Sequence, residues 1–189
     1  MIVPKLFTIL FWTWTASEIL LQVATRTRRS AGISKDRGSL MLLLPAIFVS
    51  IWVALSYQPT QGQMLPGDPH WLRVAALALM AAGMAIRAYA ILTLGKAFST
   101  NVAIRTAQNL KTNGLYRWVR HPSYTGMLLI FAAIGVDTLN WVGLAIMLVF
   151  PTAALLYRIH VEEKALVEAF GPEYSIYSKE TKRLVPGIY

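Results

Sequence analysis

The chain has 189 residues, 56% hydrophobic and only 14% charged, with a mean hydropathy of +0.49 and a formal charge of +9. Soluble domains run nearer to about 45–50% apolar and about 25% charged, so an ordinary soluble domain is excluded and part of this chain's solvent is lipid. The absence of cysteine removes disulfides, thiolate metal sites, iron–sulfur clusters and thiol nucleophiles together, and the length allows a single domain, 1–189.

A membrane-spanning helix needs about 20 mostly apolar residues. The first such run, residues 6–24, follows Lys5, holds Trp12 and Trp14, and contains one acid, Glu18. No small-residue cleavage site follows it, so it is read as a span rather than a signal peptide. Loop 25–39 carries Arg26, Arg28, Arg29, Lys35 and Arg37. A second span is expected at 40–57, and the loop after it, 58–70, has neither Lys nor Arg. The third, 71–95, contains Arg87 about two turns before its end, and segment 96–121 again is basic, with Lys96, Arg105, Lys111, Arg117 and Arg120. A shorter helix at 122–136 reaches across only if Pro122 and Ser123 begin it at the interface. Asp137 to Trp141 then forms a tight turn before a fifth helix at 139–158. Residues 158–170 have the spacing of an amphipathic helix that stops at Gly171-Pro172, with a further short helix or turn at 173–178.

The basic loops alternate with neutral ones, and five spans with the N-terminus outside and the C-terminus cytosolic satisfy the positive-inside rule at every loop. The fold class is therefore an all-α integral membrane protein. Two N-terminal spans occupy 1–70 and a core occupies 71–189, with a cytosolic pocket formed by segment 96–121 and the C-terminal helix. The +9 charge is topological, and nucleic acid is not an expected partner.

Three constellations carry chemistry. The run from Gly114 to Gly126 packs Tyr116, Arg117, Trp118, Arg120, His121 and Tyr124 around a membrane entry point; an aromatic belt with snorkelling arginines is the plainer reading of the same residues. Arg158 and Glu162 lie four apart on one helical face beside lipid, where charge is costly; His160 points elsewhere. Arg87, inside a span, needs a partner or a polar cavity, and Glu18 is the only acid within a span to supply one. Metal templates, Walker loops, nucleotide-binding glycine motifs and hydrolase elbows are all missing, so no metal is expected.

The ordered set Gly114-x-Tyr116…Arg120-His-Pro-Ser-Tyr124-x-Gly126, Arg158-x-x-x-Glu162-Glu163, Phe170-Gly-x-Glu-Tyr174-x-x-Tyr177 and Pro186 resembles the isoprenylcysteine carboxyl methyltransferase family from about Arg87 to the C-terminus. The resemblance implies an integral membrane enzyme that moves a methyl group from S-adenosylmethionine, bound on the cytosolic side, to a lipophilic acceptor arriving through the bilayer, most simply the carboxylate of an isoprenylcysteine. It implies that Gln108, Asn109, Leu110, Lys111, Tyr116, His121, Pro122, Ser123, Tyr124 and Glu162 hold the cofactor. Arg87 and Arg158 then fall at catalytic and substrate-side positions. A carboxylate nucleophile needs no base, whereas an amine acceptor would lose a proton, with Glu163 the nearest candidate. Aromatic faces such as Tyr116, Trp118 and Tyr124 suit a sulfonium. The chain has Gln108 and Asn101 where members of the family commonly have histidine, and it lacks several N-terminal spans of the eukaryotic enzymes. The acceptor, a prenylcysteine or a lipid, and the surrounding membrane lipids are the expected partners. The membrane is the plasma or inner membrane in a prokaryote and the endoplasmic reticulum in a eukaryote. Beside this stand a phospholipid or small-amine N-methyltransferase, an NADPH-dependent sterol-type reductase sharing Arg-His-Pro-x-Tyr but disfavoured by Ser123 and Gly126, and a non-catalytic lipid-binding membrane protein.

Overall fold

Local capping chemistry fixes where the long helices begin. The Asp68 carboxylate accepts from the His70 amide at 2.7 Å and Pro69 takes the first helical position, so the third helix starts at Pro69. The Asn140 side chain accepts from the Gly143 amide at 2.7 Å and starts the fifth. The computed structural model describes residues 2–25, 32–34, 38–100, 103–105 and 109–189. Its helices are α1 (Ile2–Thr25), α2 (Ser39–Ser56), α3 (Pro69–Leu94), α4 (Pro122–Asp137), α5 (Trp141–Phe170) and α6 (Pro172–Glu180). Among the described residues a three-residue antiparallel ribbon joins β1 (Gly32–Ser34) to β2 (Ala103–Arg105), with Ile33 opposite Ile104.

Four helices, α1, α2, α3 and α5, are long and apolar enough to cross a membrane. Their outer surfaces expose Trp12, Leu20, Phe48, Trp52, Leu92 and Phe150, which only lipid solvates without penalty. The chain is an integral membrane protein. Helix α4, with 16 residues, is about 24 Å long, short of the roughly 30 Å hydrocarbon layer. It is nevertheless the centre of the molecule. Ile130, Phe131, Ala133 and Ile134 are at most 1% exposed, and α3 and α5 pack against it on two sides.

The α3–α4 contact depends on two glycines. A Cβ on Gly126 would stand 2.6 Å from the Gly83 carbonyl and 2.9 Å from the Arg87 backbone nitrogen, and one on Gly83 would stand 2.7 Å from the Gly126 carbonyl. Backbone meets backbone here, as small residues allow in membrane bundles. The approach carries Arg87 on α3 to Ser123 at the start of α4.

The span expected at 139–158 and the amphipathic helix expected at 158–170 are a single element: α5 runs 30 residues, about 45 Å, as one helix. Residues 152–170 contain neither Gly nor Pro, so the change from apolar to amphipathic pattern changes the helix's surroundings without stopping it. Gly171, with φ 53°, ends it where the sequence places the stop. Helix α1 begins four residues before the expected 6–24 because Pro4 sits in its first turn, where a missing amide hydrogen costs nothing.

The C-terminal tail is tied beneath α4. The Arg120 amide donates to the Lys182 carbonyl at 2.7 Å, the His121 amide to the Arg183 carbonyl at 3.0 Å, and the Thr125 hydroxyl to the Leu184 carbonyl at 2.7 Å, while Leu184 is buried. Glu163 on α5 completes the tie, 2.9 Å from Arg120 Nε and 2.9 Å from Arg183 Nη2.

Gly126→Ala is expected to destabilise the bundle by about 1–3 kcal/mol, the usual cost of overpacking, read as a lowered unfolding midpoint in detergent. Gly62→Ala, whose Cβ meets nothing within 4 Å, is the control expected to leave the midpoint in place.

Candidate active site

Two cavities lie on either side of a short shared wall. The polar one is bounded by the end of α3, residues 97–99 and 109–111, Tyr116, Arg120 and His121, the start of α4, the second half of α5 and α6. Its space is about 890 Å³, open mouth included. The apolar one is a cleft of about 1740 Å³, mouth included, between α1 and α2. Helix α1 packs on α3 and α2 packs on α5, with little contact between α1 and α2 themselves, which leaves the cleft open between them. Phe98, Ser99, Tyr124 and Arg158 line both cavities.

The polar cavity is built by a turn, a cap and a short helix. Gly114, at φ 61°, opens a 3-10 turn over Gly114–Arg117 that points Tyr116 inward, where its hydroxyl donates to the Ala90 carbonyl at 3.3 Å. His121 precedes Pro122 at the head of α4, is 5% exposed, and stacks on Tyr124 with ring centres 5.5 Å apart. Helix α6 supplies Tyr174 and Tyr177 three residues apart on one face, and Tyr177 donates to the Tyr116 carbonyl at 2.6 Å. Burial pushes the phenols of Tyr116, Tyr174 and Tyr177 up, the last to about 12, so all three are protonated donors at neutral pH. The Tyr174 hydroxyl and His121 Nε2 are buried without a hydrogen-bond partner. Nε2 lies 3.5 Å from Glu163 Oε1, close enough to feel its charge but without hydrogen-bond geometry.

The shared wall is a relay of charges. Tyr124 donates to Glu162 Oε2 at 2.6 Å and accepts from Arg158 Nε at 3.0 Å. The same-face pair expected from the four-residue spacing is thus linked through a phenol from another helix. Arg158, 3% exposed, also donates to the Ser39 hydroxyl at 3.2 Å and to the Thr100 carbonyl. Arg87, 7% exposed, donates from Nε and Nη2 to the two oxygens of Glu18 at 2.5 and 2.7 Å, and from Nη1 to the Ser123 hydroxyl at 2.6 Å. The pairing of Arg87 with Glu18 is the one the lone intraspan acid suggests.

Of the residues singled out in the sequence, Asn109, Leu110, Lys111, Tyr116, His121, Ser123, Tyr124, Arg158 and Glu162 line the polar cavity, and Arg87 lines the apolar one. Pro122 is buried at the head of α4 and is not among the lining residues. Gln108 and Asn101 lie outside the described residues, as do Arg26, Arg28, Arg29, Lys35 and Arg37. Two expectations are corrected. Glu163 turns away from the cavity to Arg120 and Arg183, and a carboxylate held by two guanidiniums is a poor proton acceptor. Trp118 is 53% exposed with the Arg117 guanidinium 4.6 Å from its ring centre, so it offers no face to the cavity. His160 is exposed, as its helical position predicts. Sequence reasoning missed Ser39, Phe98, Ser99 and Thr100. A serine opening an apolar run is a weak signal, and the 98–100 stretch has no periodicity to mark it.

Residues 76–168 match the family model described as isoprenylcysteine carboxyl methyltransferase. The chain is 28% identical to protein-S-isoprenylcysteine O-methyltransferase B of Arabidopsis thaliana, over 91% of this chain and 87% of that one. It is 30% identical to the protein-S-isoprenylcysteine O-methyltransferases of Tribolium castaneum and Homo sapiens, over 74% and 62% of this chain. It spans only 50% and 42% of those two proteins' lengths. The solved structure of the eukaryotic intramembrane Ras methyltransferase superposes with a TM-score of 0.62 at 25% identity, covering 80% of this chain and 53% of that one. In its motifs, in residues 76–168 and in its bundle, the chain matches the isoprenylcysteine carboxyl methyltransferase family.

Proposed function

We propose that this protein methylates the carboxylate of a lipophilic, isoprenylcysteine-like acceptor, using S-adenosylmethionine held in the polar cavity. The observation that carries this reading is the shared wall: a polar, aromatic cavity and a lipid-facing apolar cleft meet at Phe98, Ser99, Tyr124 and Arg158. Two ligands of opposite solubility, each in its own cavity, would touch only there.

The polar cavity's residues fit that cofactor. The unpartnered Tyr174 hydroxyl is an oriented group awaiting a polar ligand, Glu162 offers a carboxylate for hydroxyl or ammonium groups, and the stacked His121–Tyr124 pair offers aromatic surface. Bound there, S-adenosylmethionine would supply an activated methyl group; transfer to a carboxylate oxygen would leave the carbon–sulfur electron pair on sulfur and require no proton transfer from the protein. The protein's part is placement and exclusion of water. Tyr124, fixed by Arg158 on one side and Glu162 on the other, holds the junction in one geometry. The cleft between α1 and α2 admits an isoprenoid tail from the bilayer and leaves its polar end at Arg158. An amine acceptor would need a proton acceptor, and the engagement of Glu163 by Arg120 and Arg183 favours the carboxylate.

In this reading the chain works as one domain with its N-terminus outside and its C-terminal polar surface, including α6 and the tail, in the cytosol. The basic residues of the tail and of segment 96–121 support that orientation.

Calorimetric titration with S-adenosylhomocysteine is expected to show one site on the wild type and at least tenfold weaker binding to Glu162→Ala; no binding to the wild type overturns the proposal. Tyr174→Phe, which removes only an unpartnered hydroxyl, is expected to weaken binding several-fold while leaving the unfolding midpoint within a few degrees, because no internal hydrogen bond is lost.

A further inference from the structure

Glu18 lies on α1, outside the stretch that matches the family model, and lines the apolar cleft together with Arg87. Its carboxylate is held by three donors, Arg87 Nε at 2.5 Å, Arg87 Nη2 at 2.7 Å and Trp14 Nε1 at 3.1 Å. Nε and Nη2 form the edge of a guanidinium that grips a carboxylate bidentately, and Glu18 occupies it. An anionic ligand entering the cleft is therefore denied the strongest carboxylate grip in the cavity.

The charges at the junction of the two cavities balance. Arg87 faces Glu18, and Arg158 is linked through Tyr124 to Glu162. Arg120, also on the polar side, shares Glu163 with Arg183, and Lys111 stands at the exposed rim. What the cleft does offer an acceptor's polar end is milder. The Thr100 hydroxyl is buried, lines the cleft and has no hydrogen-bond partner, and the Thr100 carbonyl is bound by Arg158.

We propose that Glu18 is a positioning residue for the acceptor: by occupying and neutralising Arg87 it prevents that arginine from trapping the acceptor's carboxylate, and leaves the carboxylate beside Thr100 and Arg158, loosely enough held to react. This inference rests on the acceptor reading above. Methylating a carboxylate removes its negative charge, so a surplus cation in contact with it stabilises the reactant more than the transition state. Without Glu18, an uncompensated Arg87 would bind the acceptor more tightly and slow its reaction. That pairing of effects differs from a purely structural role, which would lower activity without tightening binding.

The test compares Glu18→Gln, Glu18→Asp and the double variant Glu18→Gln/Arg87→Gln. Binding of an N-acetylated, S-prenylated cysteine and of its methyl ester is measured in detergent without methyl donor. Glu18→Gln is expected to bind the free carboxylate at least fivefold more tightly and the ester within twofold of wild type. Its turnover is expected to fall at least tenfold, with a lowered KM. Glu18→Asp and the double variant, which restore neutrality, are expected to bind the carboxylate as the wild type does. Unchanged or weaker carboxylate binding by Glu18→Gln overturns the proposal. Should Glu18→Gln fail to fold, the double variant decides: carboxylate binding within twofold of wild type supports charge balance, and a loss overturns it. A wild type that binds neither prenylated ligand nor S-adenosylhomocysteine contradicts the acceptor reading itself, a separate outcome.

Discussion

A guanidinium 3% exposed in the middle of a helical bundle must be satisfied from several directions at once, and Arg158 is satisfied by α2 through Ser39, by the 98–100 stretch through the Thr100 carbonyl, and by α4 through Tyr124. Leaving such a cation unpaired would cost several kcal/mol. Its partners cannot drift apart without paying that penalty. The consequence is that the wall between the polar and apolar cavities is pinned from three sides. A second buried guanidinium, Arg87, works in parallel: it ties α1 through Glu18 to α4 through Ser123. Between them the two arginines fasten α1 and α2, which scarcely touch each other, to the central α3–α4–α5 unit.

That arrangement explains how a small, largely apolar chain keeps a cleft open toward lipid. Helix α1 has little surface buried against protein, with Phe7 and Trp14 its only buried residues, whereas α2 buries Leu43, Ile47, Ser50 and Ala54 and packs on α5. The polar contacts at one end of the cleft hold both helices in place, and the other end is free to receive an apolar tail. The close glycine crossing of α3 and α4 and the tail beneath α4 brace the same point from the opposite side.

Much of this was legible from residue order. Apolar run length gives α1, α2 and α3 to within a few residues, because a helix in lipid must satisfy its own backbone and has no alternative conformation. Arg87 and Glu18, being costly in a span, announce each other. What the sequence conceals is direction. Glu162 and Glu163 are adjacent, yet one meets the cavity and the other the tail arginines, since neighbouring residues on a helix face about 100° apart. Trp118 and Tyr116 divide in the same way within a single turn. The continuity of α5 was hidden because its change in patterning marks a change of surroundings, and the ribbon between β1 and β2 was hidden because three-residue strands carry no periodicity to read.

The central claim, that a methyl group crosses from the polar cavity to a carboxylate in the apolar cleft, is tested most directly by incubating membranes containing the protein with methyl-labelled S-adenosylmethionine and an S-prenylated cysteine carboxylate. The account predicts label in the prenylated product that base releases as methanol, absent from membranes carrying Arg158→Ala. Label confined to base-stable lipid headgroups, or no transfer by protein that binds both ligands, would contradict it.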